Sequence, residues 1–304
     1  MKIPCLEITA VIKETLRKQI SDLKKQSIYP KLLTFLPQTS PEQQSFVAIK
    51  KRIAAEIGAE FELHEYANPP SFENFVTELK IKVDDPKTTG VIIQHPLPQE
   101  YDQTKLYETV PMEKEIEGHK PDSPFFFPLS LAVLTGIKYI IMSEQKRNID
   151  ETIIVKPQED KPLFAAYLKN KSVVIAGRGP TGGGPIAKAF GAFGIKYQVV
   201  HSETENPDKI FLTADFIVTA TGRRLINRKN IKPGVVLLNV GLRKEKGKPS
   251  ESEGKLRGDY DENEIEKIAS YYTETPRGLG PLDVMYLYIN LIEAASLEKI
   301  KPVL

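Results

Sequence analysis

Two sets of residues have types and spacings that could do chemistry. Gly177, Gly179 and Gly182 satisfy G-x-G-x-x-G between the apolar run SVVIA and a segment of helical periodicity. That spacing lets backbone approach a pyrophosphate at a helix N-terminus, where free N–H groups and the dipole favour an anion. A tight turn with no ligand is the other reading; the strand–turn–helix context favours the nucleotide. The ribose of a dinucleotide is read about 20 residues further on. There the chain has VVHSET, with His201 and Ser202 at the tip and Glu203 just beyond. Arg178 could pair with a 2′-phosphate and Ser202 could donate to it. These residues favour NADP, and Glu203 keeps NAD as the alternative.

The second set lies in the first half of the chain. Lys50 sits on a segment of helical pattern, Gln94 ends an apolar run in QHPLP, and Glu115 and Glu117 lie in KEIEG. Taken singly they are unremarkable. Lys50 fits a solvated base in the run KKR as well as it fits a catalytic amine, and two glutamates suit an acidic loop.

The elements around these residues follow from periodicity. Leu6, Ala10, Ile12, Leu16, Ile20 and Leu23 form a helical apolar stripe. KLLTFLP reads as a buried strand. A helix follows it, with Phe46, Ile49, Ile53 and Ile57 recurring and Gly58 as its stop. AEFELHEY is a second strand, SFENFVTELKIKV a helix capped by Ser71, and TTGVIIQHPLP a third strand. After the aromatic stretch PDSPFFFP comes the helix SLAVLTGIKYIIM. In the second half YQVVHS, ADFIVTAT and GVVLLNVG read as strands beside SVVIA, with Thr221 and Gly222 at the end of ADFIVTAT. The last helix, PLDVMYLYINLIEAASLEKI, is apolar on most faces. Alternating strands and helices predict an α/β fold of two doubly wound domains. Residues 1–140, with the C-terminal helix 281–304 packing back on them, make the first. Residues 141–280 make the second, a Rossmann-type lobe, with a cleft between.

Composition bounds the function classes. The 304 residues carry 42 Lys+Arg and 40 Asp+Glu, a net charge of +2, and 40% are hydrophobic. No net field points to nucleic acid or a membrane surface. The run RKEKGKPSESEGKLR reads as a solvated loop. One cysteine, Cys5, rules out an internal disulfide and any multi-cysteine metal centre, and fits a reducing, cytoplasmic setting. No apolar run approaches the ~20 residues of a bilayer span, and the N-terminus does not read as a secretory signal. No metal site is expected.

The order of these blocks resembles the methylenetetrahydrofolate dehydrogenase/cyclohydrolase family, from about Leu6 to Ala295. PKLLTFLPQTSPEQQSFVAIKKRIAAEIG is similar, without gaps, to the family's strand and Tyr-Val-x-x-Lys helix, which puts Lys50 on the catalytic lysine. GVIIQHPLP resembles V-Q-L-P-L-P, with Gln94 on the glutamine beside that lysine. KEIEGHKP resembles K-D-V-D-G-F-H-P, with Glu117 on the pterin-binding aspartate. VVIAGRGPTGGGP is similar to V-V-I-G-R-S-x-I-V-G-x-P, matching Arg178, Gly183 and Pro185. GDYDENEIEKIASYYTETPRGLGPLDV resembles the closing G-D-V … P-V-P-G-G-V-G-P-M-T-V. The chain departs from the pattern at Phe46 for tyrosine, glutamates for both acids of D-V-D-G, and His95 for leucine. It departs again at Asn239 for aspartate, Arg277 for glycine and Asp283 for threonine.

The resemblance implies a folate lobe, an NADP lobe and a homodimer. It implies oxidation of 5,10-methylenetetrahydrofolate to the methenyl compound, followed by hydrolysis to 10-formyltetrahydrofolate. Lys50, Gln94 and Glu117 would be the catalytic group; Phe46, His95, Pro96, Leu97, Gly280, Pro281 and Asp283 would face the folate. Gly177, Arg178, Gly179, Thr181, Gly182, Gly183, Pro185, His201, Ser202, Thr221 and Gly222 would hold the nucleotide. A lysine serves as acid–base catalyst when burial or nearby charge lowers its pKa. His95 could share proton transfer or a water with Lys50 in place of the missing tyrosine hydroxyl; a histidine tip in solvent is the plainer reading. A dehydrogenase without the hydrolytic step and a non-catalytic folate or nucleotide binder are the alternatives.

Overall fold

The computed structural model describes residues 1–245 and 255–298. In chain order the first elements are α1 (Cys5–Lys25), β1 (Lys31–Leu36), α2 (Pro41–Ile57), β2 (Glu60–Glu65), α3 (Phe72–Val83), β3 (Gly90–Ile93) and α4 (Gln103–Thr109). Next come α5 (Pro128–Glu144), a 3-10 turn (Glu151–Ile153), α6 (Pro157–Leu168), β4 (Val173–Ala176), α7 (Gly183–Ala192), β5 (Gln198–Val200) and α8 (Pro207–Phe211). The last are β6 (Phe216–Thr219), β7 (Val236–Asn239), β8 (Arg243–Glu245), β9 (Lys255–Arg257), α9 (Glu262–Ile265), β10 (Tyr271–Tyr272) and α10 (Leu279–Glu298).

The chain divides into two compact units, each discontinuous. One gathers Met1–Ile12 and Leu129–Asp283; the other begins at Lys13, runs to Pro128 and resumes at Val284. The boundary expected at residue 140 falls inside α5, because an unbroken helix starts at Pro128 and the division comes at its first turn. Of the C-terminal segment expected to join the first lobe, 299–304 lie outside the described residues.

The Lys13–Pro128 unit holds a parallel sheet ordered β2-β1-β3. Its central strand KLLTFL is buried after the first residue and β3 throughout, the near-continuous apolar pattern of a parallel sheet covered on both faces. Caps fix the helix ends. Ser40 accepts a hydrogen bond from the Gln43 N–H at 3.2 Å, Pro41 opens α2, and Gly58 closes it in the left-handed region at φ +87°. Ser71 caps α3 as expected, accepting from Asn74 N–H at 3.3 Å. Leu33, Phe35, Phe75, Leu79, Val91 and Leu106 are among the core residues beneath.

The other unit holds a five-stranded parallel sheet ordered β10-β7-β6-β4-β5. β4, β6 and β7 are buried runs as the sequence predicts, whereas β5, read from YQVVHS as a further buried strand, is a sheet edge with Gln198 exposed and Val199 half-buried. The edge strand β10 is two residues long, below what periodicity can show. It is lengthened by a parallel bridge from Lys2 to Tyr272, with Ile3 N–H donating to Tyr272 O and Tyr272 N–H to Met1 O. Within RKEKGKPSESEGKLR the flanks form the antiparallel pair β8–β9, and residues 246–254 lie outside the described residues.

Two helical stripes need correcting. In α1 the buried residues are Cys5, Ile8, Ile12, Leu16, Ile20 and Leu23, while Leu6 and Ala10 face out. The three- and four-residue spacing is kept, but it starts from Cys5, a small apolar side chain easily passed over. In α2 Val47 takes the buried place and Phe46 stays 44% exposed. No described helix is long and apolar enough to cross a membrane.

Candidate active site and nucleotide loop

In the β2-β1-β3 sheet, chain order reverses between β1 and β3, so the crevice at their C-terminal ends is where a doubly wound sheet places its ligand. The second set of residues collects there. Gln94 follows β3, its N–H donating to Phe35 O on β1 at 2.8 Å. Its side chain is held at both ends: Oε1 accepts from Lys50 Nζ at 2.7 Å and Nε2 donates to His95 O at 3.0 Å. Lys50 reaches it from α2, where its own carbonyl accepts from Tyr288 OH at 2.7 Å. Phe46, one turn earlier on the exposed side of α2, projects beside Lys50 by helical spacing. The His95–Pro96 peptide is cis, and Pro96 O accepts from Gln38 and Gln43. Leu97 packs on the core beneath.

His95 does not point its Nε2 at the lysine. That atom lies 3.0 Å from Tyr107 OH on α4. Burial, then Glu117 and Glu115, push the Tyr107 hydroxyl well above its ordinary value, so it stays protonated and donates. Burial holds the His95 imidazole below its ordinary value, which leaves a neutral ring to accept. The hydrogen-bond partner of His95 is thus a tyrosine that the sequence did not single out. His119 joins the same group, its ring 4.3 Å from Tyr107 and 5.5 Å from His95, both at 25°.

The two glutamates differ in task. Glu115 turns inward and accepts from the N–H groups of Glu117 at 3.0 Å and Lys120 at 3.3 Å. Its carboxyl is raised, chiefly by burial. Glu117 is also pushed up by burial, but the His119 contact, His119's charge, Lys50 and His95 outweigh this and its carboxyl lies below the ordinary value. Gly118 between them has φ +78°, and a Cβ there would sit 2.6 Å from Phe125 O. Asn290 on α10 ties the loop by donating to Ile116 O and Phe126 O. One amine, one amide and one ionised carboxylate therefore converge, and together they can hold a polar ring and move protons.

The glycine loop occupies the corresponding place in the five-stranded sheet, where order reverses between β4 and β6. Gly177 has φ +115°, and a Cβ on it would lie 2.6 Å from Ala220 O. A Cβ on Gly183, the first residue of α7, would lie 2.0 Å from Gly177 O. At Gly179 a Cβ would meet nothing within 4 Å. The loop is thus closed toward the protein and open outward, a cradle that fits a dinucleotide pyrophosphate. Arg178, Thr181 and Ser202 are exposed, and Pro185 is half-buried in the first turn of α7. Arg178 Nη2 pairs with Glu203 Oε2 at 3.1 Å, and His201 Nδ1 accepts from Glu203 N–H at 3.3 Å. Thr221 donates through N–H and Oγ1 to Asp259 Oδ2, and Gly222 turns at φ +65°. Asp259 is buried and raised by that burial, while Asn239 ties it to β6 by accepting from Asp259 N–H and Thr219 Oγ1. Gly280, Pro281 and Asp283 lie in the first turn and a half of α10, in the same unit as the glycine loop.

The catalytic domain of the tetrahydrofolate dehydrogenase/cyclohydrolase family matches residues 3–117, and the family's NAD(P)-binding domain matches residues 164–299. The chain belongs to this family. It is an enzyme by that membership, and among its relatives is the bifunctional protein FolD of Enterococcus faecalis, 29% identical over 96% of this chain and 97% of the relative. The FolD of Staphylococcus epidermidis is 30% identical over 96% of both. The Campylobacter jejuni FolD crystal structure superposes with a TM-score of 0.82 at 24% identity, covering 98% of this chain and 99% of that one. The Trypanosoma brucei enzyme, solved with NADP and an inhibitor, gives 0.81 at 21% identity over 97% of both chains. These two share the two-domain α/β fold.

Proposed function

We propose that the protein oxidises 5,10-methylenetetrahydrofolate to 5,10-methenyltetrahydrofolate with NADP and hydrolyses the product to 10-formyltetrahydrofolate. The observation that carries this reading is the Lys50–Gln94 hydrogen bond at 2.7 Å, within one unit with the ionised Glu117. A site that only bound folate would not require a lysine oriented in this way.

NADP, when bound, supplies the hydride acceptor, and the glycine loop with Arg178 would hold its phosphates. The chain's part in that step is positioning, since loss of hydride needs little acid–base help. Glu117 accepts hydrogen bonds from the pterin ring, and Phe46 offers an apolar face. In the hydrolytic step the oxygen of water bonds to the methenyl carbon while its proton passes to a base, the part this reading gives to Lys50. The bond from that carbon to N5 then breaks, N5 takes a proton, and the hydroxyl on the carbon loses one as the formyl carbonyl forms. One proton is released overall. Gln94, fixed to the His95 carbonyl, sets the direction of the lysine.

The reading extends to a homodimer in the cytoplasm, supported by the family resemblance and by the single, buried cysteine. A spectroscopic assay tests the activity. Purified protein should reduce NADP with methylenetetrahydrofolate and should accelerate the decay of methenyltetrahydrofolate. Absence of the second with the first intact would leave a dehydrogenase alone; absence of both would refute the reading. Light scattering should give twice the 34.1 kDa chain mass.

A further inference from the structure

We propose that His119 is a positioning residue that fixes the Glu117 carboxylate for the pterin, and that the ring stack on Tyr107 holds His119 for this task. The proposal rests on the folate reading above.

Glutamate is a loose ligand, because its long side chain loses rotamer freedom when fixed. A site that needs this carboxylate in one place gains from a second anchor. The chain supplies one by doubling back. At Gly118 the positive φ and the approach of Phe125 O admit only glycine, and the turn brings the next residue alongside the previous one. His119 Nε2 then lies 3.6 Å from Glu117 Oε2, a charge contact rather than a tight hydrogen bond. The imidazole itself has little freedom. It lies over Tyr107 at 4.3 Å and 25°, and meets Phe127 edge-on at 5.3 Å and 85°. Tyr107 is in turn held by His95 at 3.0 Å. Glu115 grips the backbone on both sides, through Glu117 N–H and Lys120 N–H. Every member of this group is in the same unit.

The charged and titratable groups that act on Glu117 come from each element packed near it. Lys50 faces it from α2, His95 from the end of β3, Tyr107 from α4, and Glu115 and His119 from its own loop. Lys50 and His95 favour the ionised carboxylate, as His119 does, whereas Glu115 opposes it. Of the favourable contacts His119 is the largest, so its removal should move the carboxylate's titration toward higher pH.

Two variants separate packing from pairing. His119→Phe keeps a ring on Tyr107 and removes both nitrogens; His119→Gln keeps a donor and removes the ring. In His119→Phe the KM for methylenetetrahydrofolate should rise about tenfold, the scale of a lost bond to a charged group. The kcat of the NADP-linked step should stay within about twofold and the KM for NADP should not move. The acid limb of kcat/KM for folate should move to higher pH. So should the Glu117 carboxyl midpoint, followed by NMR titration of carbon-13-labelled protein. His119→Gln should recover part of the KM. Two results overturn the proposal: an unmoved Glu117 midpoint in either folded variant, or a parallel rise in both KM values. If His119→Phe does not fold, the midpoint of His119→Gln decides. Wild type that binds no folate would refute the functional reading, and the Glu117 titration would still decide the His119–Glu117 pairing.

Discussion

Both candidate sites stand at the C-terminal ends of parallel strands where strand order reverses, β1/β3 in one sheet and β4/β6 in the other. They are made of opposite materials. The nucleotide loop is backbone: its shape depends on Cβ atoms that are missing at Gly177 and Gly183, and its Arg178–Glu203 ion pair is exposed on both sides. The Lys50 crevice is side chain: an amine and an amide joined by a hydrogen bond, beside two carboxylates, two imidazoles and a phenol that shift one another's titration. The first is a mould for an anion already charged in solution. The second is a titrating group for a substrate that must exchange protons. The same topological position thus serves binding or acid–base chemistry according to what fills it.

If this contrast is right, damage to the two regions should differ in kind. The largest effect is expected from Lys50→Met, which should lower methenyl hydrolysis by roughly 100-fold or more while hydride transfer persists, because only hydrolysis uses general acid–base catalysis. Separate assays of the two steps check this; equal loss of both would make Lys50 a binding residue. Gly183→Ala should act on the other region. Its Cβ would fall 2.0 Å from Gly177 O, so the loop must move. NADP affinity should drop at least about tenfold, with a stability loss of about 1–3 kcal/mol. Calorimetric titration and thermal melting read this, and folate affinity should be unchanged.

Arg178→Ala should raise the KM for NADP about tenfold with little change for NAD, as expected of one charged contact to the 2′-phosphate. Glu203→Gln should do the reverse by a few-fold only, since an exposed ion pair contributes little. A pH experiment probes the unit that holds Lys50 away from the site. Lys31, then His64, hold the Glu62 carboxyl down to about 2 from an ordinary value of 4.5. A carboxyl lowered in the folded state stabilises it above the ordinary value, and this is lost as pH falls toward the folded one. Thermal melts of wild type should therefore lose stability between pH 4.5 and about 2 more steeply than those of Glu62→Gln.

The legible parts of the fold are those written in long apolar runs or fixed punctuation. β1, β3, β4, β6 and β7 are buried runs, and Gly58 and Ser71 mark helix ends with residues suited to a left-handed φ or a capping hydrogen bond. The glycine loop was legible because its spacing is a backbone requirement. Lys50, Gln94 and Glu117 were found by order and spacing relative to a family, and the structure groups them. Tyr107 and His119 left no such mark. Tyr107 looks like any core aromatic on a short helix, and His119 acquires neighbours only because Gly118 reverses the chain. Leu6 misleads about the register of α1, since its apolarity says nothing of which way it faces. Asp259 and Asn290 act across 38 and 174 residues, a separation that no local pattern encodes.

The pairing of Lys2 and Ile3 with Tyr272 bears on the birth of the protein. The ribosome releases Lys2 some 270 residues before its partner Tyr272. At about 5–20 residues per second, the opening residues wait tens of seconds for a place to go. The β2-β1-β3 sheet, closed between residues 31 and 93, has no such delay. The nascent chain therefore acquires its folate-side sheet while the nucleotide-side sheet is still unfinished, and an early stop in translation would leave the first without the second.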